Sequence, residues 1–258
     1  MIGDVVSTPG RTILKENLDN IIAENAIDFT IVNGENASGG RGISYQNAED
    51  LFALPIDVMT MGNHVWNQKK TETFIDQFPN MIRPLNYPEP CAGKGYTIKT
   101  AKNGKRIAVL NLSGDIFMPT LLPPFQEIEK TLNAIEGQYD LLVVDFHAEA
   151  TSEKIAMGYY LDGKATAVVG THTHVQTADN RILPKGTAYI TDLGMTGPLN
   201  GVIGMKKEII LHNMLTKRPK RFEVEKAHPW QLNGAIVTVD ETQNIPTKIE
   251  RLYTIYER

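Results

Sequence analysis

The chain has 258 residues, 41% of them hydrophobic and 22% charged, and a formal net charge of −4. This is the composition of an ordinary globular protein, and its acidity argues against a stable nucleic-acid partner, which needs a basic surface. No apolar run approaches the roughly 20 residues of a membrane-spanning helix. The N-terminus lacks the basic-then-apolar pattern of a secretory leader. The single cysteine, Cys91 in a Pro-rich loop, excludes an intramolecular disulfide and fits a reducing cytoplasm.

In chain order, the residues read as an alternation of strands and helices. A short strand at 2–6 precedes a helix over 11–26, where Ile13, Leu14, Leu18, Ile21 and Ile22 fall on one face. A strand at 28–34, a helix at 44–54 and a strand at 55–62 follow. A second set comprises a strand at 106–114, a helix at 125–136, a strand at 139–146, a helix at 152–163 and a strand at 165–170. Such alternation implies parallel strands joined by helical crossovers. Two regions break it. Asn103-Gly104 is a two-residue hairpin signal within 95–112, and residues 234–256 read as two antiparallel strands. The sheet content is therefore mixed and divided between two packed sheets. With no repeat or linker, one domain over 1–258 is expected.

Polar residues cluster where these strands end, the edge at which open α/β sheets form sites. Asp4 ends the first strand; Asn33, Glu35 and Asn36 end the second; Asn63 and His64 end the third. His147 and Glu149 follow the strand at 139–146, and His172 and His174 follow the strand at 165–170. Each has a bland explanation alone: Asp4 as a helix cap, Asn63 as a turn residue, His147 as a hydrogen-bonded buried ring. Four of the six histidines fall in this set, which points to a shared site. On extended backbone His172 and His174 would face the same side. Imidazole, carboxylate and amide donors without thiolates suit Fe, Mn, Zn or Ni. They exceed the needs of one tetrahedral ion and match the inventory of two ions about 3.5–4 Å apart.

The segments GDVVSTPGR, NGENASGGRGIS, GNHVWN, DFHAEATSEK, VVGTHTHVQTAD and YITDLGMTGP, in this order, resemble the YmdB-like metallophosphoesterases of the calcineurin-like phosphoesterase superfamily. The resemblance covers nearly the whole chain. It implies a four-layer α/β/β/α sandwich with two mixed β-sheets. It also implies that Asp4, Glu35, Asn36 and His174 hold one metal, and that Glu35, Asn63, His147 and His172 hold the other, with Glu35 bridging. By the same resemblance His64 is the general acid. Asp4 is followed by Val-Val where the wider superfamily has Asp-x-His, a departure typical of this group. Ser7-Thr8 stand where Gly-Lys is common, and Asp115 where a basic residue is expected.

The implied reaction is hydrolysis of a small phosphodiester, with cyclic nucleotides of the 2′,3′-cyclic AMP type as leading candidates. A hydroxide shared by two cations would attack, and a histidine would protonate the leaving oxygen. Iron or manganese is preferred by resemblance, and zinc satisfies the same donors. Three rivals stand beside this reading: a phosphomonoesterase or nucleotidase at the same site, a two-metal amidase, and a regulatory protein that senses a nucleotide or metal. Trp66 and Tyr45 are candidates for base stacking or for packing. Asp192 and Glu149 are candidates to orient a ligand histidine or to cap turns. Arg11 is explained equally by a helix start and by phosphate contact. His212 reads as a surface or packing residue of a helix, and His228 as a loop residue. Assembly into a homo-oligomer is compatible with the sequence.

Overall fold

A computed structural model describes residues 1–257. The first alternation runs β1 (Asp4–Val5), α1 (Ser7–Glu24), β2 (Ile31–Asn33), α2 (Tyr45–Phe52), β3 (Val58–Thr60), a short α3 (Thr71–Phe74) and β4 (Met81–Ile82). The second runs β5 (Tyr96–Thr100), β6 (Arg106–Ser113), α4 (Pro124–Ala134), β7 (Leu141–His147), α5 (Thr151–Tyr160) and β8 (Ala167–Thr171). The chain ends with β9 (Arg181–Ile182), β10 (Ala188–Ile190), β11 (Met195–Pro198), α6 (Lys207–Thr216), β12 (Trp230–Asp240) and β13 (Ile245–Tyr256).

One sheet has six strands in the order β5-β6-β7-β8-β10-β9. Its centre, β6 to β10, is parallel, and its two outer pairs are antiparallel. The other sheet is composite. The parallel β2-β3-β4 unit reaches the β12–β13 hairpin through Ile2, which bridges Val32 on one side and Gly234 on the other. β1 pairs with β11, and β11 with β12. Buried side chains between the sheets, among them Ile31, Val58, Val109, Val169, Ile190 and Ala235, form the central core. Ile13, Leu14 and Leu18 of α1 and Ala48 and Leu51 of α2 cover the composite sheet. Ile128 of α4 and Met157 of α5 cover the six-stranded one. The result is the four-layer α/β/β/α sandwich with two mixed sheets that the motifs implied.

Three local readings need correction. α1 starts at Ser7, not at residue 11. Pro9 belongs to its first turn, where a missing N–H breaks no intrahelical bond. Arg11 is therefore inside the helix, and Asp4 begins its two-residue strand rather than ending it. The Asn103-Gly104 turn has three residues rather than two: Ala101 N donates to Lys105 O at 2.9 Å, enclosing 102–104, with Gly104 at φ 85° in the left-handed region that hairpins of this length require. Strands β4, β9 and β11 went unread: each has four residues or fewer and, unlike β2 and β3, none lies in a longer β-type run.

Candidate active site

Parallel strands of both sheets deliver their ends to one place. β7 closes on His147, in register with Ser113 of β6 and Thr171 of β8. Asn33 ends β2, and the loop beyond it carries Glu35 and Asn36; the loop after β3 carries Asn63 and His64. The loop after β8 carries His172 and His174. These two histidines do not sit on extended backbone. Their φ angles are 105° and 67°, so both occupy the left-handed region, where a side chain is strained. Their convergence comes from a tight turn, not from strand alternation.

The eight residues singled out in the sequence meet in one cluster. Asp4, Glu35, Asn36 and His147 are at most 1% exposed. His147 Nε2 lies 2.9 Å from Asn63 Oδ1, 3.0 Å from His172 Nδ1 and 3.2 Å from Glu35 Oε1. On the other side of Glu35, the Asn36 amide lies 3.0 Å from Glu35 Oε1, 3.4 Å from Asp4 Oδ1 and 3.1 Å from His174 Nε2. His174 Nε2 is 3.8 Å from Asp4 Oδ1. Gly62 makes room for this convergence: a Cβ there would come within 2.3 Å of Glu35 Oε2 and 2.4 Å of His147 Nε2.

The donor set fits bound cations. One ligand atom each from Glu35, His147 and His172 lies within 4.8 Å of the others, so these three alone can hold an ion. Burial alone would lower the pKa of His147, but the charge of Glu35 outweighs it and pushes the imidazole up to about 9. Burial and the His147 charge push His172 down to about 3. Burial pushes Asp4 up to about 6. Burial would also raise Glu35, but His147 and His64 hold that carboxyl well below the usual range. A buried pocket of carboxylates and ring nitrogens, with one proton-bearing imidazole at its centre, is electrostatically prepared for positive charge.

The supporting shell fixes these atoms. Thr171 donates its hydroxyl hydrogen to Asp145 Oδ1 at 2.7 Å, so its oxygen accepts from His147 Nδ1 at 2.9 Å and leaves Nε2 to the cluster. Asp145 is buried and also accepts from Thr60 and Asn33. His174 Nδ1 donates to Ile203 O at 3.0 Å, which aims Nε2 inward. Glu149 approaches His172 Nε2 at 3.1 Å and orients that ring. Asp192 contacts neither histidine: it accepts from the backbone and hydroxyl of Thr173, between them, and pairs with the buried Lys154 at 2.6 Å. Lys154, Asp145 and Thr171 were missed in the sequence. Their types are ordinary for a helix face or a strand, and only the invasion of an apolar run by Asp145 signalled a partner.

The remaining candidates lie outside the cluster. Arg11 donates to Ala37 O and to Thr8, clamping the loop that carries Glu35 and Asn36. Tyr45 packs on Phe74 and Phe78, and Trp66 meets Tyr87 edge-on, so both aromatics are engaged in packing. His228 stacks on Trp230, and His212 lies on α6. Ser7, where glycine is common, holds a φ of 54°. Asp115 is exposed, its backbone N–H bonded to Glu153.

Fold and cluster together fit a phosphoesterase, with donors placed where they could hold a metal ion. The YmdB-like protein family matches residues 1–252, and the chain belongs to that family. The Bacillus subtilis (strain 168) 2′,3′-cyclic-nucleotide 2′-phosphodiesterase is 48% identical over 251 residues, covering 97% of this chain and 94% of that protein. A crystal structure of a hypothetical protein from Thermus thermophilus superposes with a TM-score of 0.92 at 36% identity, over 99% of this chain and 98% of that one. A structure described as a novel phosphatase from Mycoplasma pneumoniae gives the same TM-score and identity, over 99% and 92%.

Proposed function

We propose that the chain hydrolyses small phosphodiesters of the 2′,3′-cyclic nucleotide type, with two bound metal ions and His64 as the general acid. The observation that carries this reading is the position of Glu35, whose Oε1 faces His147 on one side and the Asn36 amide on the other. A carboxylate so placed suits a bridge between two ions. Asp4, Glu35, Asn36 and His174 would hold one ion, and Glu35, Asn63, His147 and His172 the other. Iron or manganese is preferred, and zinc suits the same donors. Such ions, when bound, supply Lewis-acid charge to the phosphate and make water nucleophilic at neutral pH.

The chain's own residues do the rest. The Asn36 amide now turns Nδ2 toward Asp4, Glu35 and His174, and Oδ1 toward His64 Nδ1 at 2.9 Å. In this orientation His64 Nδ1–H donates to Asn36 Oδ1, so a second proton on Nε2 makes the ring an imidazolium, which returns to neutral imidazole when it gives that proton up. That nitrogen has no partner among the described residues, and the side chain is 26% exposed. It is therefore free to deliver the proton to a leaving ribose oxygen. Asn63 and Asn36 ligate without adding negative charge, which keeps the cluster attractive to a phosphate anion. The B. subtilis relative's name supports the cyclic-nucleotide class. The single free cysteine suits a reducing, cytoplasmic setting; no helix among the described residues is long and apolar enough to cross a membrane.

The test is metal content together with turnover. Protein loaded with iron or manganese is expected to carry about two equivalents per chain and to cleave 2′,3′-cyclic AMP, with loss of both after chelation. Retention of less than one equivalent after loading overturns the two-metal reading. Faster hydrolysis of phosphomonoesters than of any phosphodiester overturns the substrate class.

A further inference from the structure

Beside the cluster lies a cavity of about 370 Å³ that the mechanism above does not use. It begins at His174 and Ile203 and runs over the β12–β13 hairpin. His174 is shared: Nε2 faces the cluster, while Nδ1 is held by Ile203 O on the cavity side. On β12, Asn233 and Ala235 face the same side, and Ala235 belongs to the core between the sheets. Arg251 and Tyr253 stand opposite them on β13 and line the cavity with Asn233.

Two side chains of this wall ask for a ligand. Arg251 and Tyr253 form no side-chain hydrogen bond or ion pair among the described residues, and Tyr253 is 53% exposed. Asn233 beside them is 3% exposed, and its Nδ2 donates to Met195 O at 2.7 Å, which fixes the floor of the cavity. An aromatic face and a free guanidinium together match a nucleobase: the ring stacks, and the guanidinium donates to ring nitrogens or carbonyls.

We propose that this cavity, walled by Tyr253, Arg251 and Asn233 beyond His174, receives the nucleoside part of the substrate and confers its preference for nucleotides over simple phosphodiesters. The proposal rests on the phosphodiesterase reading for its substrate and on the cavity's own chemistry for its ligand. A phosphate at the cluster places its ribose at the His174 rim, and the base then extends over Ile203 toward Tyr253. Both of those side chains are exposed and unclaimed by the core.

Two measurements test it. In the metal-loaded enzyme, Tyr253→Ala and Arg251→Ala are each expected to raise KM for 2′,3′-cyclic AMP by about fivefold or more, the low end for loss of base stacking, while kcat stays within about twofold. In metal-free protein, adenosine is expected to bind saturably, and Tyr253→Ala to weaken that binding by a similar factor. Unchanged KM in both variants overturns the proposal, and so does a fall in kcat with no change in KM. If the wild-type enzyme cleaves no cyclic nucleotide, the functional reading fails. The adenosine titration then decides the cavity alone: saturable binding sensitive to Tyr253 upholds it, and no binding overturns it.

Discussion

His64 stands apart from its neighbours by what it leaves unbonded. Its backbone N–H donates to Glu35 Oε2 at 3.0 Å, a contact that survives any side-chain change. His64→Ala is therefore expected to retain both metals and to lose about 10²- to 10⁴-fold in diester turnover, the usual share of a general acid. Metal analysis beside a steady-state assay separates the two effects, and near wild-type turnover would exclude His64 as the acid. Asp192 makes a different case. It grips Thr173, not the histidines, and so controls a strained turn at one remove. Asp192→Asn is expected to lower metal affinity by roughly 10- to 100-fold, measured by calorimetry on the metal-free protein. Lys154→Met leaves the Asp192 carboxylate buried without its counter-ion and should lower stability by about 3–5 kcal/mol in denaturant titration.

The loops at the strand ends matter more than the strands. β2 and β3 have three residues each, enough to aim a loop. The loop after β3 lies against both Glu35 and His147 only because residue 62 has no side chain. Gly62→Ala is expected to give folded protein that binds less than one metal per chain. Elemental analysis checks this, and full occupancy would show that the loop can shift aside. The convergence of the THTH pair is a lesson at the same scale. The sequence marked both histidines, but two left-handed residues bring their rings together, and no periodicity encodes that. The β12–β13 hairpin was read from residue 234 onward, yet β12 begins at Trp230. The four extra residues place Gln231 and Asn233 near the site.

Across the whole molecule, the cluster joins loops from both sheets, so metal binding and stability are coupled. His147 carries the sign. Its ordinary pKa is 6.5, and in the metal-free fold it rises to about 9. A proton held more tightly folded than unfolded stabilises the fold fully below 6.5, and that benefit disappears as pH rises through 9. The melting temperature of chelated protein should fall over this window, while metal-loaded protein, whose ion replaces the proton, should lose much less. Parallel curves for the two forms would show that His147 does not carry the charge.

Alternation of strands and helices, written in apolar periodicity, determined the α/β class. Polar residues at five strand ends pointed to a shared site, and the family resemblance picked out the eight of them that gather. The tertiary structure alone decided the rest. It set the Thr171–Asp145 support of His147 and the Lys154–Asp192 grip on the histidine turn. It also set the cavity behind His174, whose walls come from residues up to 79 positions apart in sequence, as His174 and Tyr253 show. Periodicity reports which face of an element is buried, whereas these contacts depend on which elements become neighbours. That choice is made by packing two sheets and two helical layers together, not by any local run of residues.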